Sequence, residues 1–301
     1  MKKIIGLLVV VALVAAGIYF FTRNTVPVAP APGPVATTTA PVATTTAPVD
    51  EKVEVIGKSA SGRDIVAYHY GAATGTEVLF VGGIHGGYSW NTAKVAYEAM
   101  AHLDASPTVI PAGVRVTVVP VLNPDGLSKV LSADKLAGPF AAPDVDGSEA
   151  ARTAGRFNGN TVDLNRNFDC DWQADAVWQS KKVSGGTAAF SEPEAQAVKA
   201  YVAAHPVSAA IVWYSSAGGV FASNCHDGVL PETKSLLATF SKASGYPAHE
   251  EFNFYEITGD MTNWFAKEGI PAISVLLTDH DGTEWSKNQK GLDAVLASFA
   301  N

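Results

Sequence analysis

The segment VPVAPAPGPVATTTAPVATTTAPVD, residues 26–50, sets the limits on what this chain can fold into. It holds the unit PVATTTA twice and begins it a third time. Repeats rich in Pro and Thr bury no core and stay extended and solvated. A cooperative fold therefore has to be sought on one side of the segment or the other. On the carboxy-terminal side, residues 51–301 provide roughly 250 residues, enough for one α/β domain or two small ones. No second linker interrupts them, so one domain is expected.

On the amino-terminal side, residues 1–3 are MKK, a basic start. Residues 4–21, IIGLLVVVALVAAGIYFF, carry no charge. Eighteen apolar residues after a basic start fit a signal peptide or a membrane span. The run exceeds the roughly 7–15 residues of a signal-peptide core, and the small-residue stretch APA at 29–31 lies well beyond it. We read residues 4–21 as an uncleaved anchor, with a cleaved signal segment as the alternative. In both cases Lys2 and Lys3 stay inside and the rest is exported. Residues 22–50 form the linker between anchor and domain. The expected localisation is membrane-anchored and extracytoplasmic, or secreted if the segment is cut.

The formal net charge of -8 argues against nucleic acid as a partner. The two cysteines are Cys170 and Cys225. In an exported domain such a pair fits a disulfide better than two free thiols, two separate buried thiols being the alternative.

Within the domain, strand and helix patterns alternate. EVLFVGG reads as a strand and TAKVAYEAMAHL as a helix by its apolar spacing. VRVTVVPVLN is a buried strand ending at the turn NPDG. SEPEAQAVKAYVAAH opens a helix with Ser191 as N-cap, Glu194 completing a capping box and Pro193 in the first turn. SAAIVWYS and PAISVLLTD are further strands. TGDMTNWFAKEG and GLDAVLASFAN are helices. Such alternation indicates a sheet covered by helices on both faces, with functional groups at the carboxyl ends of its strands. His85, Asn123, Ser215 and Thr278 all fall at such ends.

His85 sits in GGIHGGYSWN, where a strand end presents a metal ligand or a base. Further along, NGNTVDLNRNFDCDW packs Asp163, Asn165 and Arg166 onto one short segment. Arg166 can fork onto a carboxylate, and Asn165 can donate beside it.

Taken in order, GGIHGGYSWNT, NPDG, RFNGNTVDLNRNF, FSEPEAQAV, VWYSSAGG, YEITGDMTNW and IPAISVLLT resemble the zinc metallocarboxypeptidases, the carboxypeptidase A-like family. The resemblance spans residues 53 to about 297. It implies a mixed, mostly parallel eight-stranded sheet with helices on both faces. It implies a first zinc ligand at His85, with Asp163 accepting from its other nitrogen and fixing its tautomer. It also implies carboxylate-binding roles for Asn165 and Arg166, an oxyanion-stabilising role for Arg156 and a substrate cap at Tyr255. The segments carrying Cys170 and Cys225 flank one pocket in the family fold, so the resemblance makes a bond between them plausible.

The remaining expected groups are absent. The family's Glu before the Trp of the first motif is Ser89 here, and the third residue after His85 is Tyr88. The second ligand His, expected after WY, is Ser215. The general-base Glu of the last strand is Leu276. Hydrolytic zinc sites use three ligands drawn from His, Cys, Asp and Glu, and a neutral hydroxyl is a weak substitute. Without zinc nothing acidifies the water or polarises the carbonyl. Without the base, a further factor of about 10²–10⁴ is lost.

Three readings follow. The first is an exported pseudopeptidase that needs no cofactor and binds peptides by their free carboxy-terminal carboxylate. The second is an active zinc carboxypeptidase with ligands rearranged from His226, His249, Asp279 or His280. The third is a tethered scaffold without a ligand.

Overall fold

The computed structural model describes residues 52–300. The basic start at 1–3, the apolar run at 4–21 and the linker at 22–50 lie outside the described residues. Among the described residues no helix is long and apolar enough to cross a membrane.

Among the described residues ten strands run in chain order: β1 (Val53–Lys58), β2 (Asp64–Gly71), β3 (Thr76–Val81), β4 (Val114–Val119), β5 (Asp175–Trp178), β6 (Lys181–Ser184), β7 (Val207–Ser215), β8 (Gly219–Ala222), β9 (Ala248–His249) and β10 (Ala272–Leu277). Eight of them form one sheet in the order β1-β2-β4-β3-β7-β10-β8-β9. The β4–β3, β3–β7, β7–β10 and β8–β9 pairs are parallel; β1–β2, β2–β4 and β10–β8 are antiparallel. This is the mixed, mostly parallel sheet expected for a carboxypeptidase A-like fold. The β5–β6 hairpin stands apart.

The strand sequences explain the order. TEVLFV, VSAAIVWYS and AISVLL are almost continuously apolar, as strands covered on both faces must be. They occupy the centre. VEVIGK on β1 alternates in exposure and forms an edge.

The helices are α1 (Trp90–Ala105), α2 (Pro124–Leu127), α3 (Glu149–Ala154), α4 (Pro193–Ala204), α5 (Pro231–Ser244), α6 (Met261–Lys267) and α7 (Trp285–Ala297). One face of the sheet is covered by α1, α5 and α7 through residues such as Val95, Phe240 and Val295. The other is covered by α4 and α6 through Val198, Tyr201, Trp264 and Phe265. Because β4, β3, β7 and β10 run parallel, their carboxyl ends share one edge, and Asn123, His85, Ser215 and Leu276 are delivered there.

One local expectation differs. The N-cap of α4 is Glu192, not Ser191, and makes no side-chain cap. Glu194 is drawn away to accept from the Ala60 amide at 2.8 Å and from Asn158 Nδ2 at 3.1 Å. Ser191 Oγ instead accepts from Asn167 Nδ2 at 2.9 Å. Contacts distant in sequence outcompete the local capping box.

Candidate functional site

His85 follows β3 through Gly82 and Gly83. The two glycines after it are required by close approach. A Cβ on Gly86 would lie 2.7 Å from Gly126 and Gly155 backbone atoms, and one on Gly87 would lie 2.8 Å from Val130. The turn ends at Ser89, the N-cap residue just before α1. His85 is 5 % exposed and Ser89 1 %. Neither ring nitrogen of His85 has a hydrogen-bond partner, nor has the Ser89 hydroxyl.

The other expected positions meet at the same edge. The His85 ring centroid is 5.7 Å from that of Tyr214, next to Ser215 at the end of β7. Leu276 and Leu277 on β10 lie in register with Tyr214 and Ser215. Ser215 donates its hydroxyl to Asn91 Oδ1 at 2.8 Å. Asn91 is held in turn, donating to the Asp279 and Gly282 carbonyls at 2.9 Å each.

Asp163 is fully buried below His85. Its Oδ2 accepts from Nε and Nη2 of Arg156, both at 2.8 Å. Its Oδ1 accepts from the Asn165 amide at 3.2 Å. His85 Nε2 stands 3.6 Å from Oδ1, an ion-pair distance rather than a hydrogen bond. At that separation the expected His85–Asp163 hydrogen bond is not formed, although Oδ1 has a lone pair left after the Asn165 amide.

Burial, reinforced by the Arg156 guanidinium, holds the His85 imidazole well below its usual range, so it is neutral. Burial opposes the charge on Asp163, yet the Arg156 and Arg166 guanidinium groups keep it below the usual carboxylate range.

Arg156, 2 % exposed, is also roofed by aromatic rings. Its guanidinium carbon lies 4.2 Å from the Trp178 ring centroid and 5.4 Å from that of Tyr88. Tyr88 packs edge-on against Trp178 at 4.8 Å and against His280 at 4.5 Å. The residue expected to face an oxyanion is thus paired and stacked. Trp178 was not singled out by sequence; the WQSKK turn of the β5–β6 hairpin is the only local signal for it.

Arg166 is buried and anchored by its own backbone surroundings. Its Nε and Nη2 donate to the Val177 carbonyl at 3.0 and 2.9 Å, and Nη1 donates to the Asn165 carbonyl at 2.7 Å. A guanidinium has five N–H groups, so two remain for a ligand. Asn165 is more committed. Its Nδ2 donates to Asp260 Oδ2 at 2.9 Å, and its Oδ1 accepts from Tyr214 at 3.1 Å and from the Met261 amide at 3.2 Å. Asp260 caps α6 by accepting from the Asn263 amide at 2.7 Å. Burial raises its carboxyl above the usual range despite these donors.

Arg166, Asn165, Asp260, Tyr255 and Leu276 line a cavity of about 460 Å³. A second, of about 430 Å³, is lined by Arg156, Trp178, Ser215, Tyr255, Leu276 and His280. The two share Phe252, Tyr255 and Leu276. A larger groove of about 820 Å³ beside β1 and β2 contains none of these residues.

The candidates for rearranged ligands are scattered. His249 stacks on Phe221 at 4.6 Å. Asp279 caps its own loop, accepting from the Asp281 and Gly282 amides at 2.8 and 2.7 Å. His226 pairs with Asp171 at 2.9 Å. Only His280 lines the cavity that holds Ser215. Burial and then Arg152 lower its imidazole to about 4. Among the described residues the one trio of His, Cys, Asp or Glu with converging donors is Cys170, Cys225 and His226. There the expected disulfide is present, with Cα atoms 6.1 Å apart.

Residues 44–284 match the zinc carboxypeptidase family, and the chain belongs to it. No curated protein matches. Among solved structures, murein-tripeptide amidase MpaA from Escherichia coli O157 is 18% identical. It superposes with a TM-score of 0.55 over 81% of this chain and 90% of that one. Bovine thrombin-activatable fibrinolysis inhibitor, in complex with tick carboxypeptidase inhibitor, is 18% identical with a TM-score of 0.60, over 82% and 87%. Carboxypeptidase A from Helicoverpa armigera is 19% identical with a TM-score of 0.55, over 82% and 69%. At these identities the likeness is one of fold.

The family's zinc does not fit the residues at its position. The donors there are one neutral imidazole, one unpartnered hydroxyl and one hydroxyl already given to Asn91. Hydrolytic zinc needs three ligands of His, Cys or carboxylate type. Leu276 cannot take a proton.

Proposed function

We propose that the chain is an exported, membrane-anchored pseudopeptidase that grips peptides by their carboxy-terminal end without cutting them. The observation that carries this reading is the contrast between the two halves of one site. The half that would hold metal and base offers His85, Ser89, Ser215 and Leu276. The half that would hold a carboxylate keeps Arg166, with two N–H groups spare, in a cavity also lined by Asn165 and Tyr255.

A carboxylate entering the cavity of about 460 Å³ meets a guanidinium whose position is set by the Val177 and Asn165 carbonyls. A pre-positioned fork loses little rotamer freedom on binding, so charge-assisted hydrogen bonds retain most of their strength. Tyr255 and Leu276 offer apolar surface to the last side chain. The basic start and the apolar run at residues 4–21 support the export and anchoring parts of the reading.

Binding of peptides with free or amidated carboxyl ends to the full chain tests it. Cell-wall peptides belong in the panel, since a murein-tripeptide amidase shares the fold. Free-acid peptides should bind, amides at least about tenfold more weakly, and Arg166→Gln should erase the difference. Equal binding of acids and amides would overturn recognition of the carboxylate, and binding of neither would leave a tethered scaffold. Stoichiometric zinc with release of carboxy-terminal residues would establish an active enzyme instead.

A further inference from the structure

The carboxylates around the site are unevenly placed. Among the described residues, five of the eighteen that line the Arg166 cavity are Asp or Glu: Asp171, Glu250, Glu251, Glu256 and Asp260. The whole chain has 29 in 301 residues, so its general acidity does not account for this density. The adjoining cavity, which holds Arg156, Trp178 and Ser215, is lined by no described carboxylate. Its wall is instead aromatic, with Tyr88, Trp178, Phe252, Phe254 and Tyr255. Negative charge gathers where a terminal residue on Arg166 would sit and is missing from the cavity next to it.

Two of the five carboxylates have basic neighbours. Asp171 Oδ1 lies 2.9 Å from His226 Nε2, and Glu250 Oε2 lies 3.2 Å from Lys234 Nζ. Glu251 and Glu256 are exposed and have no hydrogen-bond or ion-pair partner among the described residues. Asp260 is 6 % exposed and accepts from the Asn263 amide at 2.7 Å and from Asn165 Nδ2 at 2.9 Å. A carboxylate has about four acceptor positions, so room for a further donor remains. Against Glu251, Glu256 and Asp260 stands one guanidinium, that of Arg166. A peptide end with a neutral side chain adds a further negative charge to this balance. An end that also carries a cation adds none.

We propose that the peptide end held by this chain carries a cationic side chain, an ammonium or guanidinium on an aliphatic stem, with its carboxylate on Arg166 and its cation among Glu251, Glu256 and Asp260. This rests on the reading of Arg166 as the carboxylate site. The lining suits such a side chain along its length. Phe221, Ala222, Ile257 and Leu276 offer apolar surface to the stem. Long basic side chains bury their methylenes and keep the charged head on polar groups or in water. The exposed pair Glu251 and Glu256 contributes modestly, because ion pairs in water are screened. Asp260, sheltered from solvent, contributes more. A cation beside it offsets the burial that holds its carboxyl above the usual range.

The arrangement suits an organic cation rather than a metal ion. Among the described residues no three of these carboxylates bring oxygens within 4.8 Å of one another. A metal ion needs such convergence. An ammonium on a flexible four-carbon stem has three rotatable donors and needs no fixed number of partners, so it can share carboxylates that stand apart.

Free-acid peptides of one sequence, varied only near the end, test this on the full chain in detergent. They end in Lys, in Nε-acetyl-lysine or in Glu, or carry the Lys one place inward. Terminal Lys should bind about tenfold more tightly than acetyl-lysine, which keeps the stem and loses the charge. Terminal Glu should bind more weakly than acetyl-lysine, and Lys one place inward should gain nothing. The Lys-to-acetyl-lysine ratio should shrink in about 1 M salt. It should fall severalfold in the surface variant Glu251→Gln, Glu256→Gln, and further in Asp260→Asn. Equal binding of Lys and acetyl-lysine, with the amidated peptide still rejected, overturns this inference and leaves the carboxylate reading intact. A ratio unchanged in both variants overturns it too, as does an equal gain from Lys one place inward, which would make the attraction a general one. Failure of every free-acid peptide to bind overturns the carboxylate reading and this inference together.

Discussion

Asp163 takes both Nε and Nη2 of Arg156 on one oxygen, each at 2.8 Å, at a point where neither side chain reaches solvent. His85 is left 3.6 Å from the other oxygen. The carboxylate expected to orient a metal-binding imidazole therefore serves a guanidinium, and the pair is capped by Trp178. A site of this kind is organised around a buried ion pair.

Removing one partner of that pair should be costly. Asp163→Asn strands a buried guanidinium, and such changes cost about 3–5 kcal/mol. Urea unfolding of the full chain should show the loss. Arg156→Met added to Asp163→Asn should recover much of it, because both charges are then gone. A loss below about 1 kcal/mol would mean that Arg156 finds water or another acceptor.

Acid should weaken the fold in a defined window. His280 is lowered to about 4 by burial and Arg152, and His85 is lowered well below its usual value. In the unfolded chain both titrate near 6.5. Below that value the unfolded chain takes up protons that the folded chain refuses, so stability drops as pH falls from about 6.5 toward 4. Asp163, depressed in the fold, extends the loss below the ordinary Asp value near 3.8. Asp260 works the other way, because its raised carboxyl binds a proton earlier in the folded state. Urea midpoints at pH 7.5 and pH 5 should differ, and His280→Gln should narrow the gap. An identical gap in the variant would show that His280 is protonated without cost.

The disulfide joins residues 55 apart in sequence. In the chain-entropy account, closing a loop of that size stabilises by roughly 4 kcal/mol. The double variant Cys170→Ser, Cys225→Ser should lower the urea midpoint accordingly. Unchanged midpoints would mean that backbone bonds, from the Phe168 amide to the Gly259 carbonyl at 3.0 Å and from the Ser223 amide to the Ala272 carbonyl at 3.1 Å, already hold both loops.

The sheet was legible because β3, β4, β7 and β10 are apolar almost throughout, and only a doubly covered strand can be. The placement of His85, Ser215 and Leu276 at one edge followed from their positions at strand ends. What sequence did not reveal were partners chosen across the fold. Glu194 reads as half of a capping box, yet it holds the Ala60 amide, 134 residues away. Asp163 reads as the mate of His85, yet its close partner is Arg156, which puts two donors on Oδ2 while His85 stands 3.6 Å from Oδ1. Ser215 reads as an empty ligand position, yet Asn91 fills its hydrogen-bonding need. Each outcome depends on distances that only the folded chain defines.

The sharpest prediction is restoration. Ser89→Glu with Ser215→His should build a three-ligand zinc site with His85, and Leu276→Glu should add the base. Ser89 is suited to the change because its hydroxyl has no partner to lose. Ser215→His must release Asn91, whose other bonds to the Asp279 and Gly282 carbonyls keep it in place. The triple variant should bind one zinc and release carboxy-terminal residues from peptides. The metal pair or the base alone should do little, since metal and base act as a unit and their effects do not add. Arg156 sets the expected ceiling. Bound to Asp163 and covered by Trp178, it gives little to a developing oxyanion, and one lost oxyanion donor costs about 10²–10³ in rate. Trp178→Ala in the triple variant should uncover it and raise turnover further. A folded triple variant that takes up no zinc would mean that His85, Ser89 and Ser215 do not share a metal position.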